Sequence, residues 1–209
     1  MTKPWLRRQG YRREIDTRWI RNRILIVCEG EKTEPNYFRA FPTKIDLVKV
    51  DVEGLGANTL SLVNTALEKK ESAACQDRPY NQVWCVFDRD SFPAGNFNQA
   101  FKTAQANGIR VAYSNQCFEL WYFLHYHFND TAIDRHTYGE KLSRLMGRKY
   151  DKTDKGMYNL LKDKQPVAIR NAKKLLTRYP ECNPEKNDPS TNVHLLVERL
   201  NEFISSEAE

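Results

Sequence analysis

Two short apolar runs, each stopping abruptly on carboxylates, restrict the fold of this chain more than any other feature. Ile24 to Cys28 leads into Glu29-Gly30, and Val83 to Phe87 leads into Asp88-Arg89-Asp90. A strand that alternates apolar and polar residues has one wet face, whereas a continuous β-branched and apolar run needs cover on both faces. Helices crossing over a parallel sheet supply that cover, and the intervals around these runs carry helical signals. Strand patterns over residues 23–29, 45–53, 83–87 and 109–113 alternate with helical patterns from Thr33 or Glu34 to Pro42, from Asn58 to about Lys70, and over 96–106. This spacing predicts βαβ units, right-handed crossovers and an α/β fold on a mainly parallel sheet. The 45–53 segment sets Lys49 and Asp51 between Val48, Val50 and Val52, which suits an edge strand.

Beyond the last of these strands, CFELWYFLHYHF (residues 117–128) is too long and too rich in large side chains for a strand and reads as a buried helix. Helical patterns then dominate at 138–146, 157–164, 167–179 and 193–204. Residues 180–190 hold three prolines and read as a loop, with Ser190 or Thr191 capping the last helix. The organisation is a basic amino-terminal arm (1–22), an α/β domain (23–128) and a helical carboxyl-terminal region (129–209) packed on it. A chain of 209 residues is long enough for one sizeable core.

No apolar stretch approaches the roughly 20 residues a bilayer-crossing helix needs, and the basic amino terminus lacks the apolar segment of a secretory signal. A cytoplasmic protein without membrane contact is expected. The five cysteines contain no C-x-x-C pair and several lie in apolar runs, so they read as core residues rather than disulfides or zinc ligands.

The formal charge of +6 is unevenly distributed: residues 1–23 carry eight Lys/Arg against two Asp/Glu, and the rest balances at 25 against 25. Trp5, Tyr11 and Trp19 are interleaved with Arg7, Arg8, Arg12, Arg13 and Arg18. Such an arm either tracks a phosphate backbone and stacks on bases, or packs its aromatics on the domain.

In an open parallel sheet, ligands bind beyond the carboxyl ends of the strands. Glu29, Asp88 and Asp90 all fall there. Asp88 and Asp90 point the same way in an extended segment, with Arg89 facing elsewhere. Carboxylates gathered within a few ångströms repel one another unless a cation neutralises them, and oxygen-only donors suit Mg²⁺ or Mn²⁺. Asn115 and Glu119, at the turn after the last strand, are candidates to orient a water or a phosphate. Arg89, Lys152 and Lys155 are candidate phosphate contacts. His125 and His127 do not form an i, i+4 zinc pair and read as core or surface residues.

The Glu-Gly and D-x-D strand ends resemble the Toprim domain of topoisomerases, primases and OLD-type nucleases. More specifically, CEGEKTEPNYF, the DRD after VWCVF, SNQCFELWYFLHYHF and NDPSTNVHLLVERL together resemble the RloB-like family of bacterial proteins, over about residues 23–205. The resemblance implies a Toprim-like fold with Glu29, Asp88 and Asp90 as its acidic triad. Glu31 and Glu34 compete for the further acidic place that follows Glu-Gly in that pattern, Glu34 being favoured as ligand of a second metal, with capping of its own helix as the alternative. The resemblance also implies Mg²⁺- or Mn²⁺-dependent nuclease activity on DNA or RNA, and a place in antiviral defence or abortive infection beside other defence-system proteins. The alternative from another class is a non-catalytic sensor that binds a nucleotide or nucleic acid at the same acidic site.

Overall fold

The computed structural model describes residues 22–42, 48–56, 59–89, 94–181 and 183–205. The basic arm, Asp90 and Cys182 therefore lie outside the described residues. Strands β1 (Asn22–Cys28), β2 (Val48–Gly54), β3 (Gln82–Asp88) and β4 (Arg110–Asn115) alternate with helices α1 (Thr33–Arg39), α2 (Thr59–Cys75) and α3 (Ala94–Ala106). The sheet order is β2-β1-β3-β4-β5, in which the first four strands are parallel. The fold is the expected α/β class, and β2 takes the edge that its alternation suggests.

Successive side chains of a strand point to opposite faces, so each central strand feeds two cores. Ile24, Ile26, Cys28, Trp84, Val86 and Ala112 face one layer, while Leu25, Val27, Val83, Cys85, Phe87 and Val111 face α2 and α3. Residues 24–28 are fully buried, which is why the run has no polar member. The first core extends without a break into the carboxyl-terminal helices, where Tyr138, Leu142, Leu161, Leu175 and Leu200 join Phe118 and Trp121. Truncating a buried aromatic of this size, such as Trp121→Ala, costs about 3–5 kcal/mol.

That helical layer comprises α4 (Glu119–Leu124), α5 (Arg135–Met146), α6 (Met157–Leu161), α7 (Gln165–Leu176) and α8 (Val193–Ser205). Helix α5 begins earlier than its apolar pattern because the Asp134 side chain accepts a hydrogen bond from the His136 amide at 2.9 Å. It ends at Gly147, whose φ of +66° supplies the left-handed turn. Helix α4 is shorter than the expected 117–128 helix: after Leu124 the amides of His125, Tyr126 and His127 bond back in tight turns. No helix among the described residues is long and apolar enough to cross a membrane.

One expectation is corrected. Ser190 and Thr191 are not merely the end of a loop but a short strand, β5, paired antiparallel with Ser114 and Asn115. Thr191 Oγ1 donates to the Tyr113 carbonyl at 2.8 Å and accepts from the Val193 amide at 3.3 Å, so it completes the sheet edge and also caps α8. The neighbouring Asn192 extends the edge with its side chain, accepting from the Tyr113 amide at 2.6 Å and donating to the Val111 carbonyl at 2.9 Å. Two residues are too few to show a period, which hides this strand in the sequence.

Candidate functional site

The register that sets Cys28 beside Val86 brings the ends of β1 and β3 together. Glu29 donates its amide to the Val86 carbonyl at 2.9 Å, continuing the ladder one residue past β1. Its carboxylate accepts from the Asp88 amide at 3.1 Å and from Thr59 Oγ1 at 2.9 Å. Three elements thus hold this side chain: β1, β3 and the first turn of α2.

Glu34 enters from the first turn of α1 and is 5% exposed. A Cβ on Gly30 would stand 2.3 Å from Glu34 Oε2, so the glycine leaves the space that the carboxylate fills. Burial pushes the Glu34 carboxyl up to about 7; the charges of Glu119 and Glu29 add to this, while its own amide and that of Gly30 oppose it. Gly54 closes the same corner: a Cβ there would meet the Gly30 carbonyl at 2.6 Å.

Asp88 ends β3, and burial raises its carboxyl well above the ordinary carboxylate value. Glu34, Glu119 and Glu29 raise it further, against a hydrogen bond from the Phe118 amide. Glu119, the first residue of α4, is 4% exposed. It accepts from the Tyr150 hydroxyl at 3.0 Å and meets Lys152 Nζ at 3.4 Å. Four carboxylates from four elements therefore face one another at the carboxyl end of the sheet. Among the described residues, no three Asp, Glu, His or Cys side chains stand close enough to hold one ion.

The loop after α5 roofs this cluster. Thr33 Oγ1 donates to the Lys152 carbonyl at 3.2 Å and Asn36 Nδ2 to the Thr153 carbonyl at 3.0 Å. Lys152 and Lys155 are both exposed there. Sequence reasoning missed Tyr150 and Thr59 as partners of the acidic residues. Tyr150 lies 31 residues from Glu119, and no local pattern marks such a contact.

The other candidates are placed elsewhere. Arg89 lines a cavity of about 370 Å³ together with Asn115, Gln116, Arg135 and Asp188, beside the carboxylates rather than among them. Asn115 is buried, and its Nδ2 donates to the Pro184 and Asn187 carbonyls at 3.3 and 3.2 Å, so it anchors the loop before β5. Glu31 is exposed and leans over Gly56, whereas Glu34 joins the cluster. Asp90 and Arg7, Arg8, Arg12, Arg13 and Arg18 lie outside the described residues. His125 is buried with Nδ1 2.9 Å from the Trp121 carbonyl, and burial lowers its pKa to about 4; His127 is exposed.

Cys28, Cys85 and Cys117 are buried free thiols, whereas Cys75 is exposed, against the expectation of a core position. Burial pushes Cys85 up to about 12 and also raises Cys28 and Cys117, which removes them as thiolate nucleophiles.

The RloB-like protein family model matches residues 24–200, most of the chain, so the chain belongs to that family. No curated protein and no solved structure matches it.

Proposed function

We propose that this member of the RloB-like family is a divalent-metal-dependent nuclease, acting on DNA or RNA through the carboxylates at the ends of β1 and β3. The observation that carries this reading is the convergence of Glu29, Glu34, Asp88 and Glu119, two of which are pushed toward protonation by burial and by their neighbours' charge. An all-oxygen cluster with such an excess of negative charge fits Mg²⁺ or Mn²⁺.

Glu29 and Asp88 would hold the ion, with Glu34 and Asp90 as further ligands. Among the described residues no three such side chains form a ready-made ion site, and Asp90 lies outside them. When bound, the ion supplies charge neutralisation and an activated water for phosphodiester hydrolysis. The chain's own groups orient the rest. Thr59 and the Asp88 amide fix the Glu29 carboxylate, Tyr150 fixes Glu119, and Lys152 offers positive charge at the rim. Arg89 and Lys155 are further candidates for phosphate contact. The reading extends to a cytoplasmic role in antiviral defence or abortive infection, alongside other defence-system proteins.

The test is cleavage of single- and double-stranded DNA and RNA by purified wild-type and Asp88→Asn chains, with Mg²⁺ or Mn²⁺. The reading expects cleavage by the wild type and a loss of at least about 100-fold in the variant, the scale of a missing group that positions or activates the attacking water. Cleavage that persists unchanged in Asp88→Asn, Asp90→Asn and Glu29→Gln would remove the assignment. The second reading, a sensor that binds a nucleotide or nucleic acid without cutting it, is favoured by the absence of a close three-ligand set among the described residues. It expects no cleavage with either ion, and ligand binding that depends on Asp88.

A further inference from the structure

The balance of charge outside the amino-terminal arm conceals a local surplus. Residues 144–155 hold Arg144, Arg148, Lys149, Lys152 and Lys155 against Asp151 and Asp154. All five cations are exposed. Asp154 is engaged by Arg148, and Asp151 accepts from the Thr153 amide and hydroxyl, both at 2.8 Å, so the two carboxylates serve the loop's own conformation. The Arg144 guanidinium meets Glu140 only at 3.9 Å, with both side chains more than three-quarters exposed, a pair worth little in water.

The placement of this loop is what gives its charge a direction. Tyr150 and Lys152 bond to Glu119, and the Lys152 and Thr153 carbonyls are held by Thr33 and Asn36 of α1. Four contacts, two through backbone carbonyls and two through the Tyr150 and Lys152 side chains, pin the loop to the mouth of the carboxylate cluster, while Arg144, Lys149 and Lys155 stay exposed. A polyanion approaching the four carboxylates meets repulsion there, and a cationic rim fixed at that mouth offsets it.

We propose that the 144–155 rim grips the sugar-phosphate backbone of a nucleic-acid strand and leads it across the carboxylate cluster. The inference rests on the nuclease reading for the strand's destination, but its test reads binding alone. Each phosphate contact contributes about 0.7 to the dependence of log affinity on log salt for a single strand. Arg144, Lys149 and Lys155 are the rim cations with no close tie to the loop or to Glu119, so reversing them leaves its anchoring contacts intact.

The experiment measures binding of a single-stranded DNA 20-mer, and of an RNA of the same sequence, between 50 and 300 mM KCl with EDTA present. It compares the full-length wild type, the triple variant Arg144→Glu, Lys149→Glu, Lys155→Glu, and a control with the same charge change, Arg78→Glu, Lys102→Glu, Arg110→Glu. The rim predicts weaker binding and a salt slope shallower by about 2 in the triple variant, three lost contacts at about 0.7 each, with little change in the control. Circular dichroism melts of each chain identify a variant that fails to fold; if the triple variant does, the neutral set Arg144→Gln, Lys149→Gln, Lys155→Gln carries the same prediction. An unchanged slope, or equal losses in rim and control, overturns the proposal. A slope lost as predicted in the triple variant, together with a wild type that cleaves nothing in Mg²⁺ or Mn²⁺, would leave the rim standing and remove the nuclease reading. Normal cleavage with an unchanged slope would do the reverse.

Discussion

On the edge strand β2, acidic side chains are met one by one with partners of opposite or complementary character. Asp51 lies 3.3 Å from Lys49, 3.6 Å from Arg23 and accepts from the Tyr80 hydroxyl at 2.8 Å, and Glu53 lies 2.8 Å from Lys69. At the ends of β1 and β3 the same residue types are arranged the other way: Glu29, Glu34, Asp88 and Glu119 face one another, and Lys152 reaches the group from an exposed loop. Both regions lie on one sheet, only a strand apart. Pairing on a half-exposed edge serves solubility and modest stability. Unneutralised acids in a buried corner oppose folding, and a fold that retains them invites a functional explanation. The contrast teaches that the environment of a carboxylate, rather than its presence at a strand, separates a structural acid from a candidate ligand.

The largest effect that could break this contrast is on activity. Glu29→Gln is expected to reduce Mn²⁺-dependent cleavage by at least about 100-fold, whereas Asp51→Asn should leave initial rates within about twofold. Equal losses in both would erase the distinction.

The next effect is on stability. A free glutamate titrates near 4.5, and burial beside Glu119 and Glu29 holds folded Glu34 at about 7. Between those values Glu34 is protonated in the folded chain and ionised in the unfolded one, so its contribution to stability is present at acidic pH and is lost as pH rises from about 4.5 to about 7. Asp88, also raised, acts in the same direction. The loss from Glu34 is on the order of 3 kcal/mol. Urea unfolding at pH 5 and pH 8 with EDTA should show it in the wild type and in Asp51→Asn, and should show much less of it in Glu34→Gln. Buried His125 and His194, both lowered to about 4, act in the opposite direction in all three chains, so the difference between wild type and Glu34→Gln is the readout. A pH dependence that the substitution leaves unchanged would contradict the crowding of charge at the strand ends.

The smallest effect compares two tyrosines. Tyr150→Phe removes a buried donor to Glu119 and is expected to cost about 1–2 kcal/mol, while Tyr80→Phe, facing the half-exposed Asp51, should cost less than about 1 kcal/mol. Thermal melts of the two variants decide the order, and a larger loss at Tyr80 would reverse it.

Most of the sheet could be read before any coordinates, because burial of a strand on two faces writes a continuous apolar run into neighbouring residues. Such runs locate β1 and β3 to within a residue, the polar alternation puts β2 at the edge, and the abrupt arrival of Glu29 and Asp88 marks the carboxyl ends where parallel strands present their ligands. These signals are local, so periodicity and termination alone determine them. The family pattern is carried by the same segments.

The tertiary structure alone decided which acids meet and what surrounds them. Glu34 rather than Glu31 enters the cluster because Gly30 leaves room for its carboxylate, and Tyr150 and Thr59 reach it from elements brought in by helix packing. Asn115, polar and next to the site in sequence, is instead committed to the carbonyls of the loop before β5, and β5 itself exists only because β4 offers an unpaired edge. The cations of residues 144–155 were present in the composition but cancelled in its sum. They gain a direction only when Thr33 and Asn36 pin their loop over the carboxylates, since contacts across more than a hundred residues depend on how the helical layer packs and leave no periodic trace in the chain.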